Sequence, residues 1–246
     1  MTLSRFANDI YQDETSISRV FDIINLETTV QKPDKQMQKE TLFSIEFNNL
    51  DIGYGNQCIL KNFNLKAKQN ELIAIIGESG SGKSTFLNIF SNNSKVLSGT
   101  IKLNNTTITQ EICSQYVRIS FSNPYIFNRS LKENLLYPEK RELTLEEFSL
   151  LDELGLNELY HKTIDVDNIL EYSQDLSSGE KRRISLFRAI HLPANCYVID
   201  EPTSELDELN RRKVINVLKN LNGLKIIATH DQDIIDIADQ VKATKS

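Results

Sequence analysis

Gly77-Glu78-Ser79-Gly80-Ser81-Gly82-Lys83-Ser84-Thr85 constrains the fold of this chain more than any other stretch. It fits the pattern G-x-x-x-x-G-K-[ST] at every fixed position. A short apolar run, Leu72 to Ile76, stands before it, of the kind a buried parallel strand shows. A helix-patterned stretch, Lys83 to Phe90, follows. The glycines let the backbone turn and aim its N–H groups at phosphate oxygens, and a helix start adds a favourable dipole. Lys83 can reach β- and γ-phosphates, and the Ser84 hydroxyl can ligate Mg²⁺. A plain glycine-rich turn is the alternative, and the flanking strand and helix argue against it.

The rest of the chain is patterned to suit such a core. Phe43, Ile45 and Phe47 alternate with polar residues, as do Phe63, Leu65 and Ala67, and Gly53 and Gly55 punctuate them. That period of two predicts antiparallel hairpins. Residues 130 to 175 are helix-patterned, with Leu143, Leu145, Phe148, Leu151 and Leu154 supplying apolar faces. Beyond them, Tyr197 to Ile199 reads as a strand, Leu206 to Leu221 as a helix and Ile226 to Ala228 as a further strand. Strand and helix alternating in this way predict a parallel sheet covered on both faces. Ahead of all this, Leu3, Phe6, Ile10, Ile17, Val20, Phe21 and Ile24 recur at helical spacing, and a polar stretch with Pro33 follows. Residues 1–41 are therefore expected to be a helical tail and linker, and 42–246 a single domain.

The run Cys196-Tyr197-Val198-Ile199 leads directly into Asp200 and Glu201. A carboxylate at the carboxyl end of a parallel strand faces the ligand crevice. Asp200 is placed to hold a Mg²⁺ shell, and Glu201 to orient and deprotonate an attacking water. Two solvated charges opening a loop would look the same in isolation.

The remaining motifs carry a family resemblance. Leu176-Ser177-Ser178-Gly179-Glu180 resembles the LSGGQ signature of ABC ATPases and lies between the phosphate loop and the acidic pair, as that family requires. Pro202 to Asp207 resembles the D-loop, His230 matches the switch histidine, and Tyr54 stands where the family carries an adenine-stacking aromatic. The resemblance covers roughly residues 42 to 240. It implies an α/β fold: a P-loop NTPase core with a mainly parallel sheet, an antiparallel β subdomain and a helical signature subdomain at about 122–178. It also implies a Mg²⁺-dependent ATPase working as a pair of cassettes, a second copy or a different one. ATP would lie between the phosphate loop of one cassette and Ser177, Ser178, Gly179 and Glu180 of the other, with Asp207 in the adjoining D-loop. Glu201 and His230 would be catalytic, and Ser84, Asp200 and Ser122 would attend the metal. A serine–glycine pair can equally be a helix cap, a strand tyrosine packing, and a lone histidine structural; His161 and His191 are read as structural or surface residues.

Ser18 to Ile24 resembles the stretch joining the last membrane helix of exporters to their cassette. That implies a transporter membrane domain as partner and a place on the cytoplasmic face of the membrane. An importer subunit, a soluble ABC protein of ribosomes or DNA, and a weakly hydrolysing cassette are the alternatives. Several positions depart from the family. Ser178 and Glu180 replace a glycine and a glutamine, and Glu171 lacks flanking glycines, with Leu170 and Ser173 nearby. Phe121 to Phe127 resembles the Q-loop with Ser122 in place of its glutamine, unless Asn123 supplies the amide after a one-residue shift.

Composition narrows the function classes. With 28 basic and 34 acidic residues the net charge is −6, which gives no electrostatic footprint for nucleic acid. Cys58, Cys113 and Cys196 lie far apart and form no CxxC pair, fitting a reduced cytosolic chain. No stretch approaches 18 consecutive apolar residues, the length a spanning helix needs.

Overall fold

A computed structural model of the chain describes residues 43–163 and 176–244, all within the compact unit Lys39–Ser246. The expected N-terminal helix and linker lie outside the described residues, as do Leu170, Glu171 and Ser173.

The first strands, β1 (Ser44–Tyr54) and β2 (Gln57–Lys68), form the antiparallel hairpin that the period-two pattern predicts. Ile45, Phe47, Leu65 and Ala67 turn inward while their neighbours face out. After β3 (Leu72–Ile76) comes α1 (Lys83–Leu87), which tightens into a 3-10 turn over Asn88–Ser91. The single helix expected from Lys83 to Phe90 is thus broken, and Asn92 closes the turn with φ 58°, a left-handed conformation asparagine tolerates. Then follow β4 (Lys95–Leu103), β5 (Thr106–Ile108), α2 (Gln110–Ser114) and β6 (Val117–Ser120).

The helix-patterned middle resolves into α3 (Leu131–Leu136), α4 (Leu145–Glu153) and α5 (Asn157–Thr163). Ser130 with Glu133, and Thr144 with Glu147, form capping boxes that set where the first two begin. Next come α6 (Ser178–Ile190), β7 (Cys196–Asp200), α7 (Glu208–Asn220), β8 (Leu224–Ala228), α8 (Gln232–Asp236) and β9 (Gln240–Ala243). The helix expected from Leu206 starts two residues later because Asp207 is its cap, accepting from the Asn210 N–H at 2.9 Å.

Two sheets result. One is antiparallel in the order β2-β1-β4-β5; the other is parallel in the order β6-β7-β8-β3-β9. Alternate side chains of β7 enter different cores. Tyr197 and Ile199 pack with α3 to α7, whereas Cys196 and Val198 pack with the antiparallel sheet and α1. Burial on both faces is why this strand and its neighbours read as unbroken apolar runs. All three cysteines are free, and burial pushes the Cys113 thiol up to about 12. No helix among the described residues is long and apolar enough to cross a membrane.

Candidate nucleotide site

Four adjacent strands, β6, β7, β8 and β3, deliver their following loops to one edge of the parallel sheet. That carboxyl edge is where ligands bind in open α/β sheets. A pocket of about 290 Å³ opens there, lined by Glu78, Ser79, Gly80, Gly82, Lys83, Ser84, Thr85, Ser122, Asp200, Glu201 and His230.

Each loop is held by chemistry that its sequence supplies. Gly82 caps α1 with φ 95°, a conformation side chains resist. The Lys83 ammonium donates to the Gly77 carbonyl at 2.5 Å and the Glu78 carbonyl at 3.2 Å, and pairs with His230 Nε2 at 2.9 Å. These contacts use the three donors an ammonium has. Ser81 Oγ shares a hydrogen bond of 2.6 Å with Thr244 Oγ1, tying the loop to the residue just past β9. Ser122 Oγ donates to Asp200 Oδ2 at 2.7 Å, while Asn123 beside it is exposed and does not line the pocket.

Glu201 has φ 48° and anchors its N–H on the Ala228 carbonyl at 2.9 Å. A non-glycine residue in that region stores roughly 1–3 kcal/mol, a pattern that gathers at working sites. Burial raises its carboxyl pKa, repulsion from Asp200 adds to this, and His230 and Lys83 oppose it. His230 Nε2 stands 3.6 Å from Glu201 Oε1. A half-buried carboxylate with a raised pKa is suited to accepting a proton near neutrality.

Among the described residues no group of three or more His, Cys, Asp or Glu forms a metal cluster. The donors that converge are the Ser84 and Ser122 hydroxyls and the Asp200 carboxylate. One carboxylate with neutral oxygens fits Mg²⁺, which keeps waters and takes its remaining ligands from phosphate.

Other expected residues lie elsewhere. Ser177, Ser178, Gly179, Glu180, Asp207 and Tyr54 do not line this pocket. Tyr54 is 44% exposed, with its hydroxyl accepting from Asn88 Nδ2 at 3.0 Å. Ser177 and Glu180 form a capping box on α6: Glu180 Oε2 accepts from the Ser177 N–H at 2.8 Å and from Ser177 Oγ at 2.9 Å. The cap gives the Glu180 side chain a local role, and Ser177 and Ser178 stay exposed while Leu176 and Gly179 are buried. Gly179 abuts the loop before α7, where an added Cβ would stand 2.9 Å from Leu206 Cδ2 and 3.2 Å from the Glu205 carbonyl. His191 stacks on Phe187 at 5.5 Å at the end of α6, a packing role as expected.

Two contributors were not foreseen from the sequence. Thr244 has no motif around it and is brought in only by the pairing of β9 with β3. Arg182, in the run Lys181-Arg182-Arg183 that follows the signature, donates to the Ser122 carbonyl at 3.0 Å.

Comparison with known proteins agrees with this fold. The profile described as "ABC transporter" matches residues 60–204. A probable ABC transporter ATP-binding/permease protein of Haemophilus influenzae is 32% identical over 254 residues, covering 98% of this chain and 45% of that protein. A probable ABC transporter ATP-binding protein of Campylobacter jejuni, PEB1C, is 31% identical over 214 residues, covering 80% of this chain and 85% of that protein. Among solved structures, a bacterial Atm1-family ABC exporter with ATP bound shares the fold, with a TM-score of 0.77 at 20% identity over 96% of this chain and 43% of that one. The chain thus spans under half the length of the first relative it matches.

Proposed function

We propose, from the premise that this chain belongs to the ABC transporter family as an ATP-binding domain, that it is the Mg²⁺-dependent ATPase cassette of an exporter. It pairs with a second cassette, of the same or a different kind, and drives an attached membrane domain from the cytoplasmic face of the membrane. The single observation that carries the hydrolytic part is the convergence of Lys83, Ser84, Asp200, Glu201 and His230 on one pocket. The exporter branch rests on the resemblance of Ser18 to Ile24 to an exporter's link between membrane helix and cassette, and is supported by the Haemophilus relative, which by name joins ATP-binding and permease parts in one protein.

Lys83 would exchange a carbonyl or His230 for a phosphate oxygen when nucleotide enters. Ser84 and Asp200 would hold Mg²⁺, with Ser122 beside Asp200, and the ion would supply charge neutralisation to the phosphates. Glu201 would take the proton of the attacking water, its raised pKa making it a better base than an exposed carboxylate. His230, within reach of both Lys83 and Glu201, would keep the base oriented. Ser177, Ser178 and Gly179 sit outside the pocket of their own chain, which supports their serving the ATP of the opposite cassette.

Glu201→Gln tests this reading. The variant keeps shape and loses the base, so turnover should fall by about 10²–10⁴. Sedimentation with saturating ATP should show a dimer, because occupancy that needs both halves is linked to association. A monomer under those conditions would sink the proposal. One observation favours a second reading, a weakly hydrolysing cassette. Ser122 spends its hydroxyl on Asp200, with no longer amide to reach the attacking water.

A further inference from the structure

Arg182, in the first turns of the signature helix α6, is only 7% exposed. Burying a guanidinium costs several kcal/mol unless its donors are filled, so its partners mark where it is needed. Nη2 donates to the Ser122 carbonyl at 3.0 Å, and Nη1 donates to the Ser204 carbonyl. Glu205 Oε1 stands 3.9 Å from Nη2, and the buried Nε has no partner. One side chain therefore grips both the loop after β6 and the loop after β7.

Each gripped loop carries part of the site. Ser122, held through its carbonyl by Arg182, puts its hydroxyl on Asp200 Oδ2 at 2.7 Å. Ser204 closes its own N–H on the Glu201 carbonyl at 3.4 Å. A path of two hydrogen bonds thus runs from the signature helix through Ser122 to the carboxylate read here as metal-holding. A second tie between α6 and β6, Ser120 Oγ to Ser185 Oγ at 3.2 Å, anchors the strand end without touching the site.

We propose that Arg182 is a positioning residue that couples the signature helix to the metal-holding carboxylate, by fixing Ser122 against Asp200. Movement of α6 would then be felt at Asp200 directly, within one chain. This rests on the reading of Asp200 as a metal holder. The capping box places the same helix start beside Ser177 to Gly179, so engagement of the signature and the geometry of the metal site share one rigid element.

The full chain, loaded with a non-hydrolysed ATP analogue, can be titrated with Mn²⁺ as the probe and followed by electron paramagnetic resonance. Arg182→Gln and Ser122→Ala should each weaken Mn²⁺ binding by about three- to tenfold, the worth of one typical hydrogen bond. The double variant should be no weaker than the worse single, since both lie on one path. Arg182→Lys should recover part of the loss, and Ser185→Ala should leave Mn²⁺ binding unchanged. Nucleotide affinity without metal should be the same throughout. Multiplying effects, or unchanged Mn²⁺ affinity in Arg182→Gln, would overturn the coupling. If Arg182→Gln does not fold, the cycle of Arg182→Lys with Ser122→Ala decides in the same way. A wild-type chain that binds nucleotide but not Mn²⁺ removes the metal role of Asp200, and one that binds neither removes the ATP reading itself.

Discussion

The edge of the parallel sheet and the start of the signature helix are built on opposite plans. At the sheet edge, groups far apart in the chain touch. Lys83 meets His230 across 147 residues, and Ser122 meets Asp200 across 78. At the helix start, Ser177 and Glu180 cap each other across three residues. The first region is a convergence of charges that only the fold assembles; the second is a local motif that its own sequence closes. The difference suggests that the sheet edge can take phosphate alone, whereas the helix start is a rigid tool for use on something else.

The largest expected effect separates the two regions outright. Lys83→Ala removes the one side chain at the pocket with three strong donors. Lost charge-assisted bonds to phosphate should weaken ATP binding on the order of 10- to 100-fold, read by titration of a fluorescent nucleotide. Equal affinity in both forms would show that the sheet edge is not the phosphate site.

Gly179→Ala probes the other region, with a smaller effect of a different kind. Its Cβ would crowd the end of Leu206 at 2.9 Å and the Glu205 carbonyl at 3.2 Å. The leucine can turn aside, but the carbonyl must move by a few tenths of an ångström. Alanine gains up to about 1 kcal/mol over glycine in a helix, while crowding costs roughly 1–3 kcal/mol. Thermal unfolding should therefore register a modest loss, and nucleotide affinity of the single chain should not change. A fall in that affinity with no metal present would mean that the helix start reaches the phosphate contacts themselves, and not only the carboxylate that Arg182 ties to it.

The same division explains how much could be read in advance. The phosphate loop, the acidic pair and the signature were legible because each is contiguous and its residue types have a mechanism. Strands buried on both faces were legible as apolar runs, and the hairpin as alternation. The strand β9 was not, because Gln240-Val241-Lys242-Ala243 has neither signal and is a strand only by lying beside β3. Thr244 was hidden for that reason. Arg182 was hidden because the run Lys181-Arg182-Arg183 reads only as the signature continuing into a helix, and packing alone reveals it buried. The start of α7 was misplaced by two residues because Leu206 looks like a helical apolar position, yet it packs onto Gly179 ahead of the Asp207 cap.

The finest contrast lies within the sheet edge, between Ser122 and its neighbour Asn123. Sequence alone leaves open which of them stands in for the glutamine of the resembling motif. In the structure Ser122 lines the pocket and bonds Asp200, while Asn123 is exposed beside it. Serine lacks one methylene and the amide group of glutamine, so from the same backbone it reaches past Asp200 only through water, which bridges well but positions less firmly. Ser122→Gln keeps the carbonyl that Arg182 grips and restores the reach. Steady-state ATPase should rise about two- to tenfold, within what one positioned polar group contributes to a transition state, with ATP affinity unchanged. Asn123→Ala should change neither. If Ser122→Gln is neutral and Asn123→Ala cripples hydrolysis while sparing binding, the exposed asparagine swings in during turnover. Ser122 would then be a strut for Asp200 and no part of the water's surroundings.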